Sequence, residues 1–399
     1  MSDSSSSGEQ LWYMEPQALA TAAALGAALL YFFMTRPRRV NNYVEAGSDE
    51  LCDYADGNPV RDSKPQSDRA IRRAKTGVAA NKPVTVVEQI RAAAEGRNGQ
   101  NVAMRHERKN AAGEMVWESW TWAEYYEQAQ IAARAYIKLG LQPYEAVNII
   151  GFNSPEWLIA DIGAILAGGL AAGIYTTNSA EACRYVCDHS KGRVAVVEDA
   201  KQLAKFEEFA SDSETLDAIV VYSHAYVSEG RTEEDVPIYS WAEFMAAGAV
   251  DEGEGADATG WPSNELALRM AAQKPSDCCT LIYTSGTTGN PKAVMCSHDN
   301  VTWTGLALLT QSAELKWGET KDGEHIVSYL PLSHIAAQMI DIHLPMFWAA
   351  SSTYGATTHF ARKTALKVCA MLISSCSPGP VFFCCSRILL FAHYSFVCC

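Results

Sequence analysis

The stretch AVNIIGFNSPEWLIADIGAILAGGLAAGIYTTNSAEACRYVCDHSKGRVAVV, residues 146–197, decides the fold class. Short apolar runs at Ala146–Ile150, Leu170–Tyr175 and Val194–Val197 have strand length, and the segments between them have helical spacing. Pro155 opens the first helical segment, which runs to Leu166, and the second covers Ala180–His189. A further strand is expected at Ala218–Tyr222. Strands and helices alternating in this rhythm predict an α/β fold, with a mostly parallel sheet and helices on both faces.

Toward the N-terminus, TWAEYYEQAQIAARAYIKL (Thr121–Leu139) carries apolar residues at helical spacing and stops at Gly140. Residues 1–17 are polar and acidic, and residues 35–80 read as a linker with basic patches at Arg69, Arg72, Arg73 and Lys75. Between them, Ala18–Met34 carries no charge and is closed by Arg36, Arg38 and Arg39. As a helix this run would span about 25 Å, slightly under a hydrocarbon core of about 30 Å. Trp12, Tyr13 and Tyr31 suit the two interfaces, and the acidic residues in front argue against a cleaved signal peptide. The expectation is a transmembrane anchor at 18–34 with the body in the cytosol, the endoplasmic reticulum being the expected membrane. An Ala-rich helix lying on the surface or packed on the body is the alternative, and it makes the protein cytoplasmic.

Composition narrows the class. The 399 residues are 48% hydrophobic and 20% charged, which excludes a disordered, collagen-like or multi-span chain. Lys and Arg number 32 against 46 Asp and Glu, a net charge of -14, so no nucleic-acid partner is expected. Of 12 cysteines, only Cys183/Cys187 and Cys278/Cys279 are close together outside the C-terminal tail, and neither pair has a second pair at zinc spacing. A reduced compartment and no metal site follow.

Farther along, DEGEGADATGWPS (251–263) marks an acidic surface loop or linker, and CCTLIY (Cys278–Tyr283) a buried strand. That strand runs into Thr284-Ser285-Gly286-Thr287-Thr288-Gly289-Asn290-Pro291-Lys292, and a helix is expected to start near Asp299. Glycines let backbone N–H groups approach phosphate oxygens, the hydroxyls add donors, and Lys292 supplies a compact positive charge. The spacing is not that of a Walker A loop. A polar turn without a ligand is the plain alternative.

This string resembles the phosphate-binding signature of the adenylate-forming superfamily. GFNSPEW (Gly151–Trp157), the run Ala160–Cys183, SHDNVTWT (Ser297–Thr304) and SYLPLSHIAAQMIDI (Ser328–Ile342) are most similar to bubblegum-type long-chain acyl-CoA synthetases. The resemblance implies the N-terminal part of the adenylate-forming fold, layered sheets flanked by helices, over an AMP-binding region at 81–367. It also implies ATP, Mg2+ and CoA as cofactors and a long-chain fatty acid as substrate. ATP and the carboxylate would give an acyl-adenylate and pyrophosphate, and CoA would then form the thioester. Thr284–Lys292 would hold the β- and γ-phosphates, and His334 would lie near the acyl-adenylate pocket. Capping of a helix near Ser333 is the other reading of His334, while Trp303, His298 and Met339–Ile342 are expected to pack. Ala293 stands where the family has Gly, and a positive φ there would cost about 1 kcal/mol.

The family's later motifs for magnesium, adenine and ribose, the hinge arginine and the C-terminal lysine find no match. Residues 368–399 carry one formal charge, Arg387, and six cysteines, and resemble nothing in the family. The expectation is therefore a ligase shortened after roughly its first half, with impaired activity. A non-catalytic, membrane-associated nucleotide- or lipid-binding fragment is the alternative.

Overall fold

Thr85 starts the first helix through a reciprocal cap. Its hydroxyl accepts the Glu88 N–H at 3.1 Å, and the Glu88 carboxylate accepts the Thr85 N–H at 2.7 Å. The same S/T-x-x-E signal recurs at Thr121/Glu124 and Ser240/Glu243, so three helix starts follow directly from local sequence. The computed structural model describes residues 77–110, 112–223, 236–249, 264–284, 290–314 and 323–363. The expected anchor at 18–34, nearly all of the 35–80 linker, the loop at 251–263 and the tail at 368–399 lie outside the described residues. Among the described residues no helix is long and apolar enough to cross a membrane.

Helix α1 (Val86–Glu95) leads to a hairpin of β1 (Val102–Lys109) and β2 (Met115–Thr121), then to α2 (Trp122–Lys138). The alternating region follows as β3 (Ala146–Ile150), α3 (Pro155–Leu166), β4 (Leu170–Ile174), α4 (Ala180–Ser190), β5 (Gly192–Val197), α5 (Ala200–Glu207) and β6 (Ala218–Val221). After it come β7 (Ile238–Ser240), α6 (Trp241–Gly248), α7 (Glu265–Ala272), β8 (Cys278–Thr284), β9 (Lys292–Ser297) and α8 (His298–Glu314). The last elements are β10 (Glu324–Ser328), the short turn α9 (Ile335–Ala337), a π-helical segment (Gln338–His343), α10 (Leu344–Ser351) and β11 (Ala356–Phe360).

Two sheets result. The larger has the order β7-β6-β5-β3-β4-β8-β9, parallel throughout except for the antiparallel β8–β9 edge. The smaller has the order β10-β11-β1-β2, in which β11 runs parallel to both β10 and β1. The expected parallel sheet is present. The helix expected near Asp299 is α8, which starts at His298. Strand β9, which the sequence pattern does not mark, lies between the loop and that helix, so the loop connects two antiparallel strands.

Alternate residues of β3 sort onto two faces. Val147 and Ile149 join Trp122, Tyr136 and Trp157 of α2 and α3, while Ala146 and Ile150 join Cys183, Val186 and Phe206 of α4 and α5. These four of the five β3 residues are fully enclosed, and burying Val147, Ile149 and Ile150 contributes about 1.5–3 kcal/mol each. Cys183, Cys187 and Cys278 are packing residues: burial pushes their thiols up to about 11, about 12 and about 12. Thiols so far from the thiolate form are inert.

Candidate functional site

The loop's two described ends are fixed by strand pairing. Thr284 closes β8 opposite Lys292, the first residue of β9, and the Thr284 hydroxyl donates to the Lys292 carbonyl at 3.4 Å. Thr284, Asn290 and Lys292 are exposed and Pro291 is half-buried. Ser285, Gly286, Thr287, Thr288 and Gly289 lie outside the described residues. Ala293 pairs with Tyr283 within the ladder and has no positive φ. The strain expected there is absent, because the position is extended strand, which any residue adopts.

The LPLSH turn sits at the same carboxyl end of the large sheet. Gly173 of β4 pairs with Ile282 of β8, and a Cβ on Gly173 would come within 2.8 Å of the Ser333 Cα. Only glycine lets the turn lie this close to the strand beside the loop. His334 follows as the N-cap of α9: its Nδ1 accepts the Ala336 N–H at 3.1 Å. The side chain is half-buried, and burial lowers its basicity. The capping reading of His334 therefore has direct geometry.

Asn153 ties GFNSPEW to this turn, a role that sequence reasoning did not single out. Its amide donates to Ser328 Oγ at 2.8 Å and to the Leu330 carbonyl at 2.7 Å, and its carbonyl accepts the Leu332 N–H at 3.3 Å. Ser328 in turn donates to Asp341 Oδ2 at 2.7 Å. Asp341 is buried in the π-helical segment, and burial pushes its carboxyl up to about 8. π-Helical turns often mark functional positions. Met339, Ile340 and Ile342 are buried as expected, as is His298, whose Nδ1 accepts the Val86 N–H at 3.1 Å. Trp303 departs from that expectation, being 40% exposed.

A polar crevice of about 570 Å³ lies beyond the carboxyl ends of β3 and β5, walled by Arg108, Glu156, Glu198, Tyr222 and Lys363 among others. Chain connections leave β3 and β5 toward opposite sides of the sheet, the kind of switch point where open α/β sheets bind ligands. Gly151 packs against its Tyr222 wall: a Cβ there would fall within 1.8 Å of the Tyr222 hydroxyl. Among the described residues no group of three or more His, Cys, Asp or Glu side chains could hold a metal ion.

The family model described as "AMP-binding enzyme" matches residues 96–378. The chain is 42% identical over 332 residues to the long-chain-fatty-acid–CoA ligase ACSBG2 of Xenopus laevis, covering 81% of this chain and 40% of the relative. It is 44% identical to the human ACSBG2 ligase over 63% of this chain and 34% of the relative. Human ACSBG1 is 40% identical, with 63% and 32% covered. The chain thus spans well under half the length of these relatives. Two solved structures have the same fold. The anthranilate CoA ligase AuaEII in complex with anthranoyl-AMP superposes with TM-score 0.53 at 17% identity, over 74% of this chain and 49% of that one. The A domain of a carboxylic acid reductase from Segniliparus rugosus, in complex with AMP and a carboxylic acid, gives 0.52 at 18%, over 72% and 46%.

Proposed function

Because the chain belongs to the AMP-binding enzyme family, we propose that it serves ATP-dependent activation of a long-chain fatty carboxylate, followed by thioester formation with CoA. The observation that carries this reading is the hairpin at the β8–β9 edge. It presents Thr284 and Lys292 opposite one another, at the carboxyl end of the strand next to β4. Fatty acid and CoA are taken from the relatives' names.

In this reading Thr284 through Lys292 hold the β- and γ-phosphates. Adenylation loads negative charge onto the departing pyrophosphate, so the hydroxyls and the Lys292 ammonium stabilise that charge as it develops. His334 shapes the turn beside the reacting carboxylate, because its Nδ1 is committed to the Ala336 N–H. Among the described residues no group of three or more His, Cys, Asp or Glu side chains could hold the magnesium ion. Ala18–Met34 is proposed as the membrane attachment, with the body on the side of Arg36, Arg38 and Arg39. A chain beginning at Val40 should then wash off membranes at alkaline pH, and its full retention would discard the anchor.

The test of the central reading is ATP binding by calorimetry alongside palmitate- and CoA-dependent release of AMP. Lys292→Ala should weaken ATP binding about tenfold or more, by removing a charge-assisted contact. Equal affinity of both forms would overturn the phosphate assignment. The second reading is a non-catalytic, membrane-associated nucleotide- or lipid-binding role. ATP binding without AMP release would select it.

A further inference from the structure

Side chains grip both polar groups of the Leu332 backbone. Its N–H donates to the Asn153 side-chain carbonyl at 3.3 Å, and its carbonyl accepts the Gln338 amide at 2.9 Å. Leu332 is buried, so its peptide groups need partners within the protein. Within the LPLSH turn the His334 N–H donates to the Pro331 carbonyl at 2.9 Å, a bond that leaves Leu332 to be satisfied from outside. Asn153 holds the preceding limb as well, because its amide hydrogens go to Ser328 Oγ and the Leu330 carbonyl. A buried asparagine thus directs both its donors and its acceptor to one segment, 328–332.

This grip is footed on both sheets. Asn153 lies just past the end of β3 in the large sheet. Ser328 ends β10 of the small sheet, and its hydroxyl donates to Asp341. The Asp341 backbone carbonyl accepts the Thr358 hydroxyl of β11 at 2.9 Å. Asp341 and Gln338 both belong to the π-helical segment. A turn held in this way cannot shift without leaving buried donors or acceptors unpaired, which is costly. The restraint comes from outside because α9, which the turn leads into, has three residues and is too short to fix it. Ser333, at the tip, rests against Gly173 of β4. A pocket wall ordered beforehand has less freedom to lose when a ligand binds.

Resting on the acyl-adenylate reading above, we propose that Asn153 is a positioning residue that presets the turn at 330–334 against β4, so that the wall of an acyl-adenylate pocket is formed before the ligand arrives.

The test is calorimetry on the 399-residue chain with ATP and with palmitoyl-sulfamoyl-adenosine, a non-hydrolysable mimic of the acyl-adenylate. Asn153→Ala should weaken binding of the mimic about tenfold or more, because the turn must then be ordered on binding. ATP lacks the acyl group, and its affinity should stay as it is. Unchanged affinity for the mimic overturns the proposal, and so does a parallel loss for ATP, which would mean general loosening. Ser328→Ala keeps the Asn153 bonds to Leu330 and Leu332 and should lose less than Asn153→Ala; an equal or larger loss takes the role from Asn153 and overturns its assignment. Wild-type chain that does not bind the mimic removes the acyl-adenylate reading instead. Amide exchange then decides the positioning alone. Asn153→Ala must speed exchange at residues 332–334 while leaving β4 unchanged, and equal exchange in both proteins overturns it.

Discussion

Arg108 Nη2 lies 2.6 Å from both carboxylate oxygens of Glu156, joining β1 of the small sheet to the first turn of α3 on the large one. The pair is largely withdrawn from water, with side-chain exposures of 14% and 5%. Glu156 also sits at the helix N-terminus, where the macrodipole favours a negative charge. Arg108 is held in turn by His106 Nδ1 at 2.9 Å, by Glu118 at 3.3 Å and over the face of Trp120.

Removing one partner of such a pair leaves a buried charge uncompensated. Arg108→Met should lower unfolding stability by about 3 kcal/mol in urea titrations. Arg108→Met combined with Glu156→Leu should recover most of that loss, because the desolvation cost disappears with both charges. A double variant no more stable than Arg108→Met would mean that the pair is not what joins the sheets here.

Asp161 supplies a pH dependence. Both of its carboxylate oxygens are buried without a hydrogen-bond partner, and burial pushes its carboxyl up to about 7. The folded value is above the unfolded one, so the neutral form is favoured by folding. Its stabilising share is complete below the ordinary carboxylate range and is lost as pH rises through about 7. Asp161→Leu should therefore stabilise the chain by about 2–4 kcal/mol at pH 8 and much less at pH 4. Equal gains at both pH values, read from paired denaturant curves, would show that ionisation of Asp161 is not involved.

Much of this was legible in sequence, for definable reasons. Helix α3 matches the expected Pro155–Leu166 because Ser154 caps it and Pro155 opens it. Helix α2 begins where Thr121 and Glu124 form their box. The small sheet was not read, because β11 pairs in parallel with β1 across most of the chain (Met104 with Thr358), and no local pattern encodes that partnership. Strand β2 buries none of its residues fully, so it lacks a clean alternation. β9 was hidden because its Lys292 had already been assigned to the loop. At the site, composition marks the loop, but Asn153 gives no signal, since its partners Ser328, Leu330 and Leu332 are distant in sequence.

His334 should behave as a cap. His334→Ala should cost about 1 kcal/mol, while His334→Asn, which can still accept the Ala336 N–H, should retain most of it. Burial lowers the folded-state basicity of His334, so its contribution is present above the ordinary histidine range and is lost as pH falls below it. Protonation would also place a hydrogen on the accepting Nδ1. ATP affinity should be the same for His334→Asn and wild type, and a drop of tenfold or more for His334→Asn would return the residue to direct ligand contact.

Ala293 gives the last expectation. The family's glycine suggests a loop position in need of left-handed backbone, and restoring it would then relieve strain. The structure argues the opposite. Ala293 follows Lys292 within β9, pairs with Tyr283, carries no positive φ, and packs half-buried against the cluster that holds Cys278 and Leu281. Glycine at that place loses the methyl contact and frees the unfolded backbone without relieving anything. Ala293→Gly should therefore destabilise the chain by about 0.5–1 kcal/mol and should not tighten ATP binding. Thermal unfolding and calorimetry measured on the same preparation check both halves. A variant that is more stable and also binds ATP more tightly would mean that the loop extends through Ala293 instead of ending at Lys292.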